Sequence, residues 1–539
     1  MRVYEYVDHC LIALGITKVF GVPGHSIMPL WQNISPEIVL CAHEQEASYA
    51  AVGYAKMSRK PAVVLTSGGP GVLNSVSGIA AANIDSVPLI VISGRNELAK
   101  DGCGVLQEES QFDRRFESRS LLSGITKYTA LVTGKHDAEE TITRAFSEAV
   151  APRMGCVHLS IPVDVQNIEI CARPSMIKEN ALQKQTGSIP AIGKRPLLAM
   201  GWGCWMSGSV SLVYELAHAL GAPVLVTSKA YCCIDLSSPF YLGKLGYAYN
   251  ERLTQFIRQY GPDQIIAFGS SLGSKDYPRE LLDVLHDASV VCVGQDLSDV
   301  SRRVPNATLV ETCDLSKTIR QFLDSALRRG GCACGVSDIE NARRAAEAYW
   351  EERILSGDVM AQVCHALNRI ENTVVTADAG NHLLDVAALY NPSRVGGLFL
   401  DVGIRSMGTG ICFCAGMAEA NPDLRYVAVT GDGCMLMNGN VMHLVASRRL
   451  PVAFLVFDNS SLGRVRVGQS VTGVYRSTDI EGVDFLEYGR SFGLIGYSYN
   501  DVDAFLGEFP DIVHAGHPAI AVLKVPKDEV PVVLKGSVY

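Results

Sequence analysis

The stretch GDGCMLMNGNVMHLVASRRLPVAFLVFDNSS, residues 431–461, contains two oxygen-rich turns separated by a helix-length and a strand-length segment. RYVAVT, directly before it, has the pattern of a buried strand, and VAFLVF, near its end, has the pattern of the next one. Between them, NVMHLVASRR has apolar residues at helical spacing and ends on basic residues before Pro451. The βαβ rule makes the two strands parallel, so we expect Asp432 and Asn459 at the same edge of the sheet, where α/β proteins bind ligands.

The oxygen atoms of Asp432, of Asn459 and of a nearby backbone carbonyl suit a hard cation such as Mg²⁺, which commonly takes phosphate oxygens as its remaining ligands. The alternative is two ordinary polar turns in a βαβ unit. The GDG tripeptide alone favours that alternative, whereas the step of 27 residues from Asp432 to Asn459 favours one site for a cation and a diphosphate.

Three segments of the chain alternate short buried strands with helical patterns, which is typical of parallel sheets flanked by helices. The polar run 171–190 and the run RRGGCACGVSD at 328–338 interrupt the alternation and indicate linkers. The sequence therefore predicts an α/β fold of three consecutive α/β domains with mainly parallel sheets, at 1–175, 186–335 and 345–539.

Composition excludes several classes of protein. Hydrophobic residues make up 48% of the 539 residues and charged residues 19%, which indicates a globular chain rather than a disordered one. The net charge of -9 gives no basic surface for nucleic acid, and no apolar run is long enough for a membrane helix. The N-terminus lacks a signal-peptide pattern, and the sixteen scattered cysteines have no zinc-ligand spacing, so we expect reduced thiols in a cytoplasmic enzyme.

The stretch 431–461 resembles the diphosphate-binding motif of thiamine diphosphate enzymes. Four N-terminal segments also follow one another as in acetolactate synthases: GVPGHSIMPLW (21–31), AHEQEASYAAVGYA (42–55), TSGGPGVLNSVSGIAAANIDSVPLIVISG (66–94) and LQEES (106–110). The chain thus resembles the acetolactate synthase and 2-oxo acid decarboxylase branch of that family. The resemblance implies that 1–175 is a pyrimidine-binding domain, 186–335 a central domain and 345–539 a diphosphate-binding domain.

The resemblance also implies a cofactor site. Asp432, Asn459 and the backbone carbonyl of Ser461 match the ligands of Mg²⁺, although Asp458 stands where the family usually has an asparagine. The residues that match positions touching thiamine diphosphate are Pro23, Glu44, Asn74, Ala379, Gly380, Asn381, His382, Met407, Gly431, Asp432, Gly433, Cys434, Asn459, Ser461 and Leu462.

Three residues match catalytic positions, namely Glu44, His25 and Gln107. The carboxyl group of Glu44 would exchange a proton with N1′ of the aminopyrimidine and so activate C2 of the thiazolium. We expect Glu44 in a dry site, where desolvation disfavours the charged form. His25 stands where acetolactate synthases have a glycine and decarboxylases an acidic or hydroxyl side chain, facing C2. Either it handles a proton as the acceptor carbonyl is attacked, or it only packs in its loop.

Missing features narrow the expected reaction. The paired histidines of pyruvate decarboxylases are replaced by TSGGPG, and Val465 stands where those enzymes have a glutamate. We therefore predict a carboligase that decarboxylates a 2-oxo acid and transfers the acyl anion to an acceptor carbonyl. A non-ligating decarboxylase, a diketone C–C hydrolase and an inactive paralogue are the alternatives.

Two departures from acetolactate synthases, FGSSLGSKDY (268–277) in the central segment and PVDV (162–165) where the family has P-K-D-V, argue against FAD binding by this resemblance. Arg464 and Arg466 lie near the substrate end and are either solvated or hold an anionic group of the substrate. The resemblance implies a homodimer or homotetramer with active sites at the subunit interface, small-molecule substrates, and neither nucleic acid nor membrane as a partner.

Overall fold

The computed structural model describes residues 1–110, 116–171, 188–273, 281, 283, 287–329 and 334–535. Within these ranges the strands form three parallel sheets of six strands each. The predicted linker 171–190 lies mostly outside the described residues, as do the four central residues of the linker 328–338.

The first sheet has the strand order β2-β1-β3-β4-β6-β5. Its strands are β1 (Lys18–Gly21), β2 (Glu37–Leu40), β3 (Ala62–Thr66), β4 (Leu89–Arg95), β5 (Tyr128–Leu131) and β6 (Cys156–Pro162). The helices in this part of the chain are α1 (Val3–Ala13), α2 (Met28–Asn33), α3 (Glu44–Ser58), α4 (Pro70–Ile84), α5 (Ser118–Leu122), α6 (Ala138–Val150) and α7 (Val163–Gln166).

The second sheet has the order β12-β11-β10-β7-β8-β9. Its strands are β7 (Pro196–Met200), β8 (Val224–Val226), β9 (Tyr241–Lys244), β10 (Gln264–Phe268), β11 (Ser289–Gly294) and β12 (Thr308–Glu311). The helices described around it are α8 (Trp202–Met206), α9 (Val210–Leu220), α10 (Glu251–Tyr260), α11 (Ser298–Arg303) and α12 (Leu315–Arg329).

The third sheet has the order β14-β13-β15-β16-β18-β17. Its strands are β13 (Thr373–Ala377), β14 (Leu398–Leu400), β15 (Arg425–Gly431), β16 (Val452–Asp458), β17 (Ile495–Tyr499) and β18 (Ala519–Lys524). The helices are α13 (Val336–Glu351), α14 (Val359–Ala366), α15 (Asn381–Leu389), α16 (Thr409–Ala420), α17 (Asp432–Asn438), α18 (Val441–Ser447), α19 (Gly463–Gln469), α20 (Phe485–Ser491) and α21 (Val502–Ala515).

The central strands of each sheet are buried along their whole length, as β3, β10 and β16 show. Such strands need continuous β-branched and aliphatic runs because helices cover both faces of a parallel sheet. The predicted α/β fold class with three parallel sheets is confirmed.

The chain divides into two compact units. The first unit comprises residues 1–182, 412–422 and 438–450, and the second comprises 183–411, 423–437 and 451–539. The three predicted domain boundaries stay a prediction. No helix among the described residues is long and apolar enough to cross a membrane.

Candidate functional site

Three strands lie side by side in the third sheet: β13, which is followed by Asp378, β15, which ends at Gly431, and β16, which ends at Asp458. Helix α15 follows β13 and begins at Asn381, while α17 begins at Asp432, directly after β15. The sequence predicted a turn around Asp432, and the structure instead continues from strand to helix there. The carboxylate therefore lies at the first residue of α17, at the carboxyl edge of the sheet.

The side chains of Asp432 and Asn459 converge on one backbone amide. The N–H of Ser461 donates to Oδ2 of Asp432 at 3.0 Å and lies 3.1 Å from Oδ1 of Asn459. The other carboxylate oxygen of Asp432 accepts from the N–H of Gly433 at 2.7 Å. The three residues predicted to bind Mg²⁺ are thus brought together by the βαβ crossover.

The carboxylate of Asp432 lies in surroundings that disfavour its charge. Burial raises its pKa to about 6, although hydrogen bonds from the backbone of Gly433 and Ser461 act in the opposite direction. A cation bound beside it would offset this cost. Across the described part of the chain, no group of three or more His, Cys, Asp or Glu side chains is arranged to hold a metal ion. The predicted ligands are a mixed set of carboxylate, amide and carbonyl oxygens.

Asp458, the departure from the family motif, has its own partners. Its buried carboxylate forms an ion pair with Lys524 and accepts from the N–H of Ser460 at 3.0 Å. The extra negative charge beside the predicted cation is therefore paired within the sheet.

The first turn of α15 supplies polar atoms that lack partners. Among the described residues, Oδ1 of Asn381 and Nε2 of His382 are buried without a hydrogen bond. Burial lowers the pKa of His382 to about 4, so its imidazole is neutral at physiological pH. The free backbone amides and the dipole of this helix N-terminus favour a negatively charged ligand.

A cleft of about 500 Å³, partly open to solvent, joins these features. It is lined by Met360, Ala379, Gly380, Asn381, His382, Met407, Gly431, Asp432, Gly433, Cys434, Phe457, Asn459, Ser461, Leu462, Gly463, Arg464, Val465 and Val525. A Cβ atom at Gly433 would lie 2.7 Å from Cδ2 of Leu462 and 3.0 Å from Cε of Met407, so a larger residue there would displace the ends of these two side chains. The thiol of Cys434 donates to the carbonyl of Ala379 at 3.1 Å.

Sequence reasoning missed four of the lining residues: Met360, Phe457, Gly463 and Val525. Val525 directly follows β18, so the rule that ligands bind at the carboxyl ends of strands could have identified it. Met360 lies on α14, which carries no motif, and only tertiary packing brings it to the cleft.

The remaining predicted residues lie at the carboxyl edge of the first sheet. Glu44 is the first residue of α3 and accepts a hydrogen bond from Nδ2 of Asn74 at 2.9 Å. Gln107 has a φ of 57° and lies against Gly69, where an added Cβ would meet the Gln107 Cβ at 3.2 Å. Pro23 and His25 follow β1, and both are exposed. His25 begins a short turn, and Pro23 lies two residues before it. In the described residues no hydrogen bond joins His25 to Glu44.

Glu44 is only half-buried, so the first unit alone does not provide the dry surroundings expected for it. The buried carboxyl group on α3 is that of Glu46, which sequence reasoning missed. Burial raises the pKa of Glu46 to about 7. Hydrogen bonds to its carboxylate from the N–H of Ala42 at 3.2 Å and from Nδ2 of Asn440 at 2.5 Å act in the opposite direction and lower the pKa. Its other oxygen, Oε1, is buried without a partner among the described residues.

The third-sheet residues fit a diphosphate held by a divalent cation. They combine converging oxygen atoms at Asp432 and Asn459, orphaned polar atoms at the start of α15, and a cleft that reaches both.

Comparison with known proteins agrees with this geometry. Three family models match the chain: the N-terminal thiamine pyrophosphate (thiamine diphosphate) binding domain of thiamine pyrophosphate enzymes over residues 1–114, their central domain over 191–322, and their C-terminal thiamine pyrophosphate binding domain over 378–524.

Curated relatives of this chain include several acetolactate synthases. The acetolactate synthase isozyme 1 large subunit of Escherichia coli is 27% identical over 97% of this chain and 94% of its own length. The probable acetolactate synthase large subunit of Methanocaldococcus jannaschii is 24% identical over 100% of this chain and 94% of its own. The isozyme 2 large subunit of E. coli is 27% identical over 91% of this chain and 90% of its own.

Proposed function

The chain belongs to the thiamine pyrophosphate enzymes, and from that premise we propose that it decarboxylates a 2-oxo acid and transfers the acyl group to an acceptor carbonyl. The observation that carries the proposal is the convergence of Asp432 and Asn459 on the amide of Ser461, beside the first turn of α15. Acetolactate synthase relatives that span nearly the whole chain support the carboligase reaction over simple aldehyde release.

The cofactor would be held in two parts. Asp432, Asn459 and the carbonyl of Ser461 would bind Mg²⁺, and the first turn of α15 would face the diphosphate. Met407 and Leu462 line the same cleft and would contact the rings. When bound, thiamine diphosphate would supply an electron sink for the negative charge left when the 2-oxo acid loses carbon dioxide. The prediction that FAD is not bound stays a prediction.

Residues of the first unit would act on protons. Glu44 would hold and exchange the proton on N1′ of the aminopyrimidine, with Asn74 fixing its carboxylate through their hydrogen bond. His25, exposed beyond β1, would donate a proton to the oxygen of the acceptor carbonyl.

The two arginines at the substrate end have different surroundings. The Nε of Arg466 donates to Asp528 at 2.6 Å, and its guanidinium lies 4.2 Å from the centre of the Tyr475 ring. Arg464 instead lines the cleft. We therefore assign Arg464, rather than Arg466, to the carboxylate or another anionic group of a substrate.

Cofactor binding tests the first half of the proposal. After removal of metal with EDTA, calorimetry should show thiamine diphosphate binding that depends on added Mg²⁺ and is lost in Asp432→Ala. Asp503→Ala, an exposed aspartate on α21 of the same unit, is the matched control and should bind as the wild type does. Equal affinity with and without Mg²⁺ would contradict the assigned metal site.

Product analysis tests the second half. The enzyme is supplied with pyruvate alone, or with pyruvate and a second oxo acid or an aldehyde. A carboligase gives a hydroxyketone or hydroxy-oxo acid in which two carbonyl compounds are joined. Free aldehyde as the sole product under all conditions would make it a non-ligating decarboxylase.

A further inference from the structure

We propose that Lys244, in the second sheet, is a positioning residue for the cofactor, because it holds the carboxyl end of the helix whose first turn faces the diphosphate cleft. The inference rests on the proposed cofactor site and adds a residue that is distant from the cleft. Both Lys244 and the helix, α15, belong to the second compact unit.

The side chain of Lys244 binds two carbonyl groups at the end of α15. Its Nζ donates to the carbonyl of Ala387 at 3.0 Å and to that of Tyr390 at 2.6 Å. These carbonyls belong to the last turn, where a helix has no backbone donors left. The N–H of Asn391, which would continue the helical pattern to Ala387, donates instead to Oδ1 of Asn368 at 2.7 Å. Lys244 therefore caps carbonyls that the helix leaves open.

The position of the amine strengthens this cap. Lys244 is the last residue of β9, and it is buried, so its Nζ is held in place rather than solvated. The ring of Tyr231 lies 5.6 Å from Nζ. A positive charge at a helix carboxyl end interacts favourably with the helix dipole, and an anion at the amino end does the same.

Helix α15 has nine residues and is therefore roughly 13 Å long, a single rigid rod. Its first turn carries Asn381 and His382, which line the cleft, and its last turn rests on Lys244. A shift of the rod at one end moves the amides and side chains at the other. Fixing its carboxyl end therefore fixes the surface offered to the diphosphate.

The charge on Lys244 is sensitive to its surroundings. Burial lowers its pKa to about 7, while the nearby carboxylate of Glu347 on α13 acts in the opposite direction. Arg343 of α13 and Tyr241 of β9 line a small cavity together with Lys244 and Glu347, and the ring of Tyr231 also lies near the amine. Because the proton is lost as pH rises through neutrality, the positive charge on the cap decreases between pH 6 and pH 8.5.

The test measures thiamine diphosphate binding by the full-length apoprotein in the presence of Mg²⁺. Lys244→Met removes the charge and keeps the length, Lys244→Arg keeps the charge, and Lys194→Met, an exposed lysine of the same unit, is the control. We expect Lys244→Met to raise Kd about tenfold, which corresponds to about 1.4 kcal/mol. Lys244→Arg should restore most of the affinity, and Lys194→Met should leave it unchanged.

A pH series separates positioning from general stability. Between pH 6 and 8.5 the wild type should lose affinity relative to Lys244→Arg, whose charge is constant, so that their Kd ratio changes with pH. A lowered unfolding temperature in Lys244→Met with an unchanged Kd, or a constant Kd ratio across the series, would overturn the proposal. Failure of both Lys244 variants to fold would make the residue a requirement of the fold and overturn it as well. If the wild type itself does not bind the cofactor, the proposed function fails instead.

Discussion

Two glutamates in the first turn of α3 have different surroundings. Glu44 is half-buried and shares a hydrogen bond with Asn74, whereas Glu46 is fully buried and faces Asn440. A partly exposed carboxylate at the end of a sheet can reach a bound molecule, while an enclosed one cannot. We therefore keep the prediction that Glu44 is the catalytic glutamate, and we expect the role of Glu46 to be structural.

Glu44→Gln should bind thiamine diphosphate but lose most of the exchange of its C2 proton, because an amide cannot protonate N1′. Hydrogen–deuterium exchange at C2 of the bound cofactor, followed by NMR after acid quench, measures the step directly. Glu139→Gln, on the exposed side of α6, is the control and should exchange normally. Wild-type exchange in Glu44→Gln would remove Glu44 from the mechanism.

His25→Ala should lower turnover by about 10²–10⁴-fold, the usual worth of general acid–base catalysis, and leave cofactor affinity intact. The pH–rate profile should also change, because an acid–base group is removed. Steady-state kinetics from pH 5.5 to 8.5 measure both effects. A decrease of less than about tenfold with an unchanged profile would mean that His25 only packs in its loop.

Among individual residues, the sequence could predict those whose spacing is set by local geometry. Asp432 and Asn459 could be paired because one helix and one strand separate them, and the crossover rule brings their ends together. Glu46 and Lys244 could not be assigned, because their burial depends on helices that are distant in the sequence. A lysine at a strand end, or a second glutamate on a helix, is ordinarily solvated.

Helix α3 approaches residues 412–420 of α16 closely, and two glycines allow the contact. A Cβ at Gly53 would lie 2.2 Å from the carbonyl oxygen of Phe413, and a Cβ at Gly416 would lie 1.8 Å from that of Ala50. Both obstructing atoms belong to the backbone, so a substitution requires one of the helices to move. All of these residues belong to the first compact unit.

Gly416→Ala should destabilise the protein by about 1–3 kcal/mol, since the cost of overpacking exceeds the gain in helix propensity. Gly507→Ala, on α21, is the matched control: a Cβ there meets nothing within 4 Å, so the same change should be neutral or slightly stabilising. Chemical denaturation of both variants measures the difference. Equal stability of the two would show that the helices can separate without cost.

Glu46→Gln should stabilise the protein at pH 8 by about 1–3 kcal/mol and have little effect at pH 5. The pKa of Glu46 in the folded protein is raised to about 7, above its unfolded value. The folded protein therefore keeps this proton up to about pH 7, whereas the unfolded chain releases it at lower pH. The free energy of unfolding thus falls as the pH rises from the unfolded pKa to about 7. Thermal unfolding at both pH values, with Glu139→Gln as the control, measures the effect. An equal gain at pH 5 would point to packing rather than ionisation.

The long apolar strands could be predicted, because continuous β-branched runs have few other roles in an α/β protein. The short strands β9 and β14 have four and three residues and carry no such run, so only pairing with their neighbours defines them. The start of α17 at Asp432 was missed because flanking glycines ordinarily indicate a turn.

The predicted site residues of the whole molecule form two groups, one at the edge of the first sheet and one at the edge of the third. Glu44 and Asn74 belong to the first compact unit, and Asp432 and Asn459 to the second. By family resemblance we expect each active site to combine the first group of one subunit with the second group of its partner.

Mixing Glu44→Ala with Asp432→Ala subunits should therefore restore activity, because a hybrid dimer contains one site with both residues intact. At equal mixing about half of the dimers are hybrids, each with one of its two sites functional, so about one quarter of wild-type activity is expected if exchange is complete. The recovered activity is measured after the two variants are refolded together and is compared with the activity of each variant alone. Light scattering that finds fully active monomers would contradict the shared site.

The first and third sheets have the same strand order: in each, counting along its own segment, the order is 2-1-3-4-6-5. In the second sheet the strand order, counted in the same way, is different: 6-5-4-1-2-3. Copying one ancestral gene and joining the copies around an unrelated insert would leave this arrangement. In that history Glu44 and Asp432 stand on two descendants of one fold, and each copy gained its own predicted contact to the cofactor by diverging at a different loop.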